Sequence, residues 1–119
     1  MANVLIVDDA KFMRMTLAKM LGNGGHTVVG EAENGQRAIE LYREVRPDVV
    51  TMDITMPEMT GIEAVKKIVR EFPDAKIIIC SALGQQKLVV EAIESGAKDF
   101  IVKPFDETRV LEAVERVLN

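Results

Sequence analysis

Short apolar runs alternate with longer stretches in which apolar residues recur every three or four positions, and the alternation repeats along the whole chain. The runs at 4–7 (Val4-Leu5-Ile6-Val7), 28–32, 49–52 (Val49-Val50-Thr51-Met52), 77–81 and 100–102 are read as strands. Between them Met13, Leu17, Met20 and Leu21 fall on one helical face, as do Ala38, Leu41, Tyr42 and Val45. Ala64, Val65, Ile68, Val69 and Phe72 form a third stripe, and Leu88, Val89, Ala92 and Ile93 a fourth. Val110, Leu111, Val114, Val117 and Leu118 form the fifth. The pattern is that of an α/β protein, (βα)5.

The punctuation agrees with that count. Thr60-Gly61-Ile62-Glu63 has the form of a capping box, in which the hydroxyl and the carboxylate each take a backbone donor that the helix leaves unpaired. Gly22, Gly24-Gly25 and Gly96 stand where helices are expected to stop, and Asp106 and Glu107 bring negative charge to the positive start of the last helix.

Strands joined through helices run parallel, and right-handed crossovers put the helices on both faces of the sheet. The runs at 4–7, 49–52 and 77–80 are apolar nearly throughout and suit a doubly covered centre, whereas Thr27-Val28-Val29-Gly30-Glu31 is mixed and suits an edge. The expected architecture is therefore a three-layer sandwich around a five-stranded parallel sheet of order 2-1-3-4-5, the flavodoxin-like arrangement. In such a sheet the direction of winding reverses between the first and third strands and opens a crevice at their carboxyl ends.

That crevice carries the candidate chemistry. Asp8 and Asp9 follow the first strand, Asp53 the third, Ser81 ends the fourth and Lys103 follows the fifth. Three carboxylates brought together repel, so either one keeps a proton or a cation joins them; a hard divalent ion such as Mg2+ fits the oxygen donors. A carboxylate nucleophile, a cation, a hydroxyl and a Lys make a phosphoryl-handling site, with Asp53 as the candidate acceptor. Each residue has an ordinary explanation when taken alone. The acids cap helices, Lys103 is a solvated cation and Ser81 closes a strand. Their coincidence at one end of one sheet favours the site.

Composition narrows the field. The 119 residues, with 15 Lys and Arg against 19 Asp and Glu and a net charge of -4, make one domain with no clustered basic run, which argues against nucleic acid as partner. The chain opens into a strand without a leader and holds no membrane-length apolar run, so a cytoplasmic, non-membrane protein is expected. The single Cys80 lies in an apolar strand and is read as a core residue of a reduced protein. His26, after Gly24-Gly25, is expected in a solvated turn, and Met56 and Met59 beside the Asp53 loop are read as an adaptable contact surface.

The residues resemble the response-regulator receiver family over the whole chain. Val4-Leu5-Ile6-Val7-Asp8-Asp9, Met52-Asp53-Ile54-Thr55-Met56-Pro57, Ser81-Ala82 and Lys103-Pro104-Phe105 match its ordered motifs. The resemblance implies that Asp53 is the phosphoacceptor, and that Asp8, Asp9, Asp53 and the backbone carbonyl of Thr55 serve the Mg2+ site. It makes Ser81 the switch hydroxyl, Phe100 the switch aromatic where many relatives have Tyr, and Lys103 the phosphoryl-site lysine, commonly joined to its Pro by a cis bond. The stretches 81–86 and 96–101 look like the chemotaxis branch. That likeness implies a monomeric receiver domain, 1–119, without an output domain, and a phosphoacceptor rather than an enzyme. Its implied partners are a histidine kinase, a flagellar motor switch protein, bound through the fourth helix, fifth strand and fifth helix, and a phosphatase.

Three rivals set the tests. A single-domain relay receiver of another two-component pathway has the same chemistry and a different partner. A Mg2+-dependent phosphatase needs a substrate pocket or cap domain for which the chain has no room. A flavodoxin-like electron carrier needs a phosphate-cradling loop after the first strand, where this chain has two carboxylates.

Overall fold

A computed structural model describes all residues, 1–119. The chain runs β1 (Asn3–Val7), α1 (Lys11–Asn23), β2 (Thr27–Ala32), α2 (Gly35–Val45), β3 (Val49–Asp53), α3 (Gly61–Glu71), β4 (Ile77–Ser81), α4 (Gln86–Glu94), β5 (Asp99–Val102) and α5 (Glu107–Leu118). The sheet order is β2-β1-β3-β4-β5 with every pair parallel, and the mixed strand β2 is an edge as its composition demands. Along β1 and β2 the register slips by one residue between Val4 and Leu5, which pair with Val28 and Gly30.

Alternation along the strands divides the core into two layers. Leu5, Val7, Val50, Met52, Ile77 and Ile79 pack under the apolar faces of α2 and α3 and under Ala92 of α4. Val4, Ile6, Val49, Ile78, Cys80 and Ile101 face the other way, against Leu17 and Leu21 of α1 and Val110, Ala113 and Val114 of α5. Cys80 is buried in that second layer, where burial pushes its thiol pKa up and keeps it protonated.

The helix starts follow the signals in the chain. Thr60 and Glu63 form the reciprocal capping box of α3, and the Asp106 carboxylate accepts from the Arg109 N–H at the start of α5. Gly96 follows α4 with φ +124°, a conformation that other residues rarely adopt.

Four expectations are corrected. Gly22 lies within α1, which ends only at Asn23, because one glycine costs a helix too little to break it while Leu21 beside it is fully buried. His26 is buried rather than solvated; its Nδ1 accepts from the Ala2 N–H at 3.0 Å, stitching the start of β1 to the turn before β2. Met56 is buried and Met59 packs against the core, its sulfur over Gly35, so neither forms an open contact surface. On α4 only Ala92 is fully buried, and Leu88, Val90 and Ile93 remain exposed. This helix packs on β4 and α3 near the end of the sheet, so a single line of its side chains reaches the core.

Candidate phosphoryl site

The carboxyl ends of β1, β3, β4 and β5 bring the sequence candidates together. Val7 pairs with Met52, Asp53 with Cys80 and Ser81 with Val102, so Asp8, Asp53, Ser81 and Lys103 sit at successive strand ends. Carboxylate oxygens of Asp8, Asp9 and Asp53 all lie within 4.8 Å of one another. Asp8 and Asp53 are buried, and Asp9 stands exposed at the rim.

Lys103 bridges the two buried acids. Its Nζ lies 3.2 Å from Asp53 Oδ1, to which it donates, and 3.1 Å from Asp8 Oδ2. The second contact is an ion pair off the hydrogen-bonding direction, so Asp8 Oδ2 is buried without an aligned partner. Asp8 is otherwise well held: Oδ1 accepts from the Ala10 N–H at 2.8 Å and its carbonyl accepts from Arg14 Nη1 at 2.7 Å. Neither Asp8 nor Asp9 is the N-cap of α1, a position taken by Ala10 without a side-chain bond, and Thr60 caps α3. The capping explanation thus fails for all three acids.

Electrostatics follow from this crowding. Burial, and then the neighbouring Asp8 charge, push the Asp53 carboxyl up to about 6, against the opposing pull of Lys103. Burial would lower the Lys103 ammonium, but the hydrogen bond and charges of Asp8 and Asp53 outweigh it and the net shift is upward. The result is a permanent cation facing an acid pair that is short of compensating charge.

The donor set fits a small hard cation. Ligand oxygens held about 2.1 Å from Mg2+ lie roughly 3 to 4 Å apart, a spacing that carboxylates within 4.8 Å of one another reach by rotating side chains. Asp8 Oδ2, paired in charge with Lys103 but without an aligned hydrogen-bond donor, lies in this cluster, and all the side-chain donors are oxygens.

Ser81 is buried at the end of β4, whereas Phe100 is 38% exposed on β5. Both line an apolar groove of about 250 Å3 together with Ala82, Val89 and Val102. The Lys103–Pro104 bond is cis.

Several residues at the site are not evident from the sequence pattern. Gly61 is the first residue of α3, and a Cβ there would run into the carbonyl of Asp53 and the Cα of Ile54; its N–H donates to the Ile54 carbonyl at 2.7 Å. Arg109 on α5 donates to the Phe100 carbonyl at 2.7 Å and pairs with the buried Asp99 at 3.3 Å, its guanidinium 5.8 Å from the Phe100 ring centre. Gln85 reaches across from the start of α4 to Ala82 and Thr55. The glycine inside the capping box is a readable signal; the other two contacts join residues whose meeting depends on the fold.

Sheet order, acid cluster and bridging lysine define a receiver domain, and the chain belongs to the response-regulator receiver family, whose model matches residues 4–115. It is 61% identical over 96% of its length, and 95% of the relative's, to the chemotaxis protein CheY of Thermotoga maritima. It is 56% identical over its full length, and 99% of the relative's, to the protein CcdB of Bacillus subtilis. The CheX–CheY–BeF3–Mg complex from Borrelia burgdorferi superposes with a TM-score of 0.93 at 39% identity, covering 98% of this chain and 89% of that one.

Proposed function

We propose that this chain is a chemotaxis switch that takes a phosphoryl group onto Asp53 from the phosphohistidine of a kinase. The observation that carries this is the acid cluster within 4.8 Å spanned by Lys103 at the carboxyl end of the sheet. Lys103 holds Oδ1 of Asp53, which orients the carboxylate with Oδ2 as the attacking atom. The new O–P bond forms as the N–P bond of the donor breaks, and the electron pair returns to the imidazole. Lys103 then offsets the charge gathered on the phosphoryl oxygens.

Asp8, Asp9, Asp53 and the carbonyl of Thr55 are the residues that would hold Mg2+, which supplies charge neutralisation to the phosphoryl group. Asp8 is fixed for that role by Ala10 and Arg14. Ser81, buried one residue beyond the partner of Asp53 in the register, is the hydroxyl that senses the phosphoryl oxygen. Phe100 shares its groove and would follow it inward, changing the face that carries Val90 and Ile93. That exposed apolar face, on α4 beside β5 and α5, is the surface for a flagellar motor switch protein. The switch acts as a monomer in the cytoplasm, and no helix is long and apolar enough to cross a membrane. The Borrelia relative in complex with CheX sets a precedent for a further protein partner, here a phosphatase.

Incubation with acetyl phosphate and Mg2+ tests the chemistry: mass spectrometry should find one phosphoryl group on Asp53, and Asp53→Asn should stay unlabelled. Equal labelling of the variant would remove Asp53 from the reaction. A second reading is a receiver of another two-component pathway with the same chemistry, since a relative 56% identical over the full length, CcdB, is not named as a chemotaxis protein. Swimming and tumbling of a deletion strain separate the two, since only the chemotaxis reading requires altered motor reversal.

A further inference from the structure

We propose that Gln85 gates the phosphoryl site: its carboxamide occupies a backbone donor aimed at Asp53 and must release it when the site is loaded. This deepens the reading of Asp53 as phosphoacceptor and rests on it.

The geometry comes from the strand ends. The Cys80 carbonyl accepts from the Ile54 N–H at 3.2 Å, on the β3 side, and the Ser81 carbonyl accepts from the Lys103 N–H at 2.7 Å, on the β5 side. A trans peptide points its carbonyl and its N–H in opposite directions. The N–H of Ala82, which shares a peptide with the Ser81 carbonyl, is therefore turned toward the end of β3, where Asp53 is the last residue. It finds no strand partner there and donates to Gln85 Oε1 at 2.7 Å.

The other half of the carboxamide reaches the opposite wall. Gln85 Nε2 donates to Thr55 Oγ1 at 3.1 Å, two residues beyond Asp53. One side chain thus ties the β4–α4 loop to the β3–α3 loop across the mouth of the site. Gln85 is also the N-cap residue of α4, yet its side chain makes no cap bond to that helix. The group that holds the site closed is attached to the start of the helix whose exposed face is the partner surface.

A charged phosphoryl oxygen is a stronger acceptor than a neutral amide oxygen. With a phosphoryl group on Asp53 the Ala82 N–H changes partner, the Gln85–Thr55 bond opens, and the start of α4 is freed. Coupling of this kind is reciprocal, so weakening the bridge must favour the loaded site.

The test is a titration with beryllofluoride, a phosphoryl mimic, in excess Mg2+, followed by amide chemical shifts. Wild type must bind and Asp53→Asn must not; failure of that control overturns the phosphoacceptor reading itself, apart from the gate. Gln85→Ala is expected to lower the dissociation constant about fivefold, the effect of removing one competing neutral hydrogen bond. Gln85→Met, which keeps the length of the side chain without its polar atoms, should do the same. Gln85→Glu keeps an acceptor for Ala82, loses the donor to Thr55 and adds negative charge beside the anion, so it should weaken binding. Thr55→Val should tighten binding and add little to Gln85→Ala, because both break one bridge. Unchanged or weaker binding in both Gln85→Ala and Gln85→Met, or full additivity with Thr55→Val, would overturn the gate. A merely structural Gln85 would show that weaker binding, since loosened loops hold the anion less well.

Discussion

At the scale of single residues the governing fact is charge crowded into a poorly solvated corner. The Asp53 carboxyl titrates at about 6 in the folded chain against an ordinary 3.8. Because the folded pKa is the higher one, the folded state keeps a proton that the unfolded chain has released. The stability linked to that proton is complete below about pH 4 and is lost as pH rises through about 6. In EDTA, lowering the pH from 7 to 5 should therefore stabilise the protein relative to Asp53→Asn, by at most about 1 kcal/mol after allowance for solvent screening. Urea melts of both proteins at the two pH values measure it, and equal pH slopes would show that Asp53 does not carry the strain. At neutral pH without metal the variant should be the more stable protein, since it lacks one of three repelling charges.

At the scale of elements, the candidate phosphoryl site depends on how tightly the β3–α3 loop turns back on the strand. Gly61 sits against the carbonyl of Asp53, with its own N–H on the Ile54 carbonyl, while Thr60 and Glu63 close the helix start immediately beside it. A methyl group at Gly61 has no space, and the atoms in its way are backbone. Gly61→Ala should cost about 3 kcal/mol, as overpacking does, and should also slow uptake from acetyl phosphate because it displaces the acceptor strand end. An unfolding midpoint equal to wild type would mean that the loop has slack. The capping box was legible in the chain as Thr60-Gly61-Ile62-Glu63 because it is a local bond pattern within four residues. The close approach of Gly61 to Asp53 was not, because it depends on the angle at which α3 leaves the sheet.

For the whole molecule, the proposed Mg2+ site would couple metal binding to folding. If Mg2+ binds only the folded chain, free Mg2+ at about ten times its dissociation constant contributes RT ln 11, about 1.4 kcal/mol, or a rise in Tm on the order of 4 to 8 °C. Asp53→Asn removes one of the proposed ligands, so its Mg2+ increment should shrink. Thermal melts in EDTA and in excess Mg2+ decide the point. An apo variant less stable than wild type, with an undiminished shift, would make Asp53 a structural residue and not part of a metal site.

The sequence by itself determined the sheet order, the packing faces of every helix but α4, and the meeting of Asp8, Asp53, Ser81 and Lys103 at one rim. Periodicity identifies strands and helices, and parallel crossovers leave few ways to arrange them, so residues at strand ends inherit positions from the topology. Tertiary structure alone decided which side chains meet from different elements. It buried His26 on the Ala2 amide, left the apolar face of α4 open and set Arg109 over Phe100. It also spanned the candidate phosphoryl site with Gln85, joining Ala82 to Thr55. Such contacts depend on the packing angles of elements and the reach of individual rotamers, which no local pattern of apolar and polar residues records.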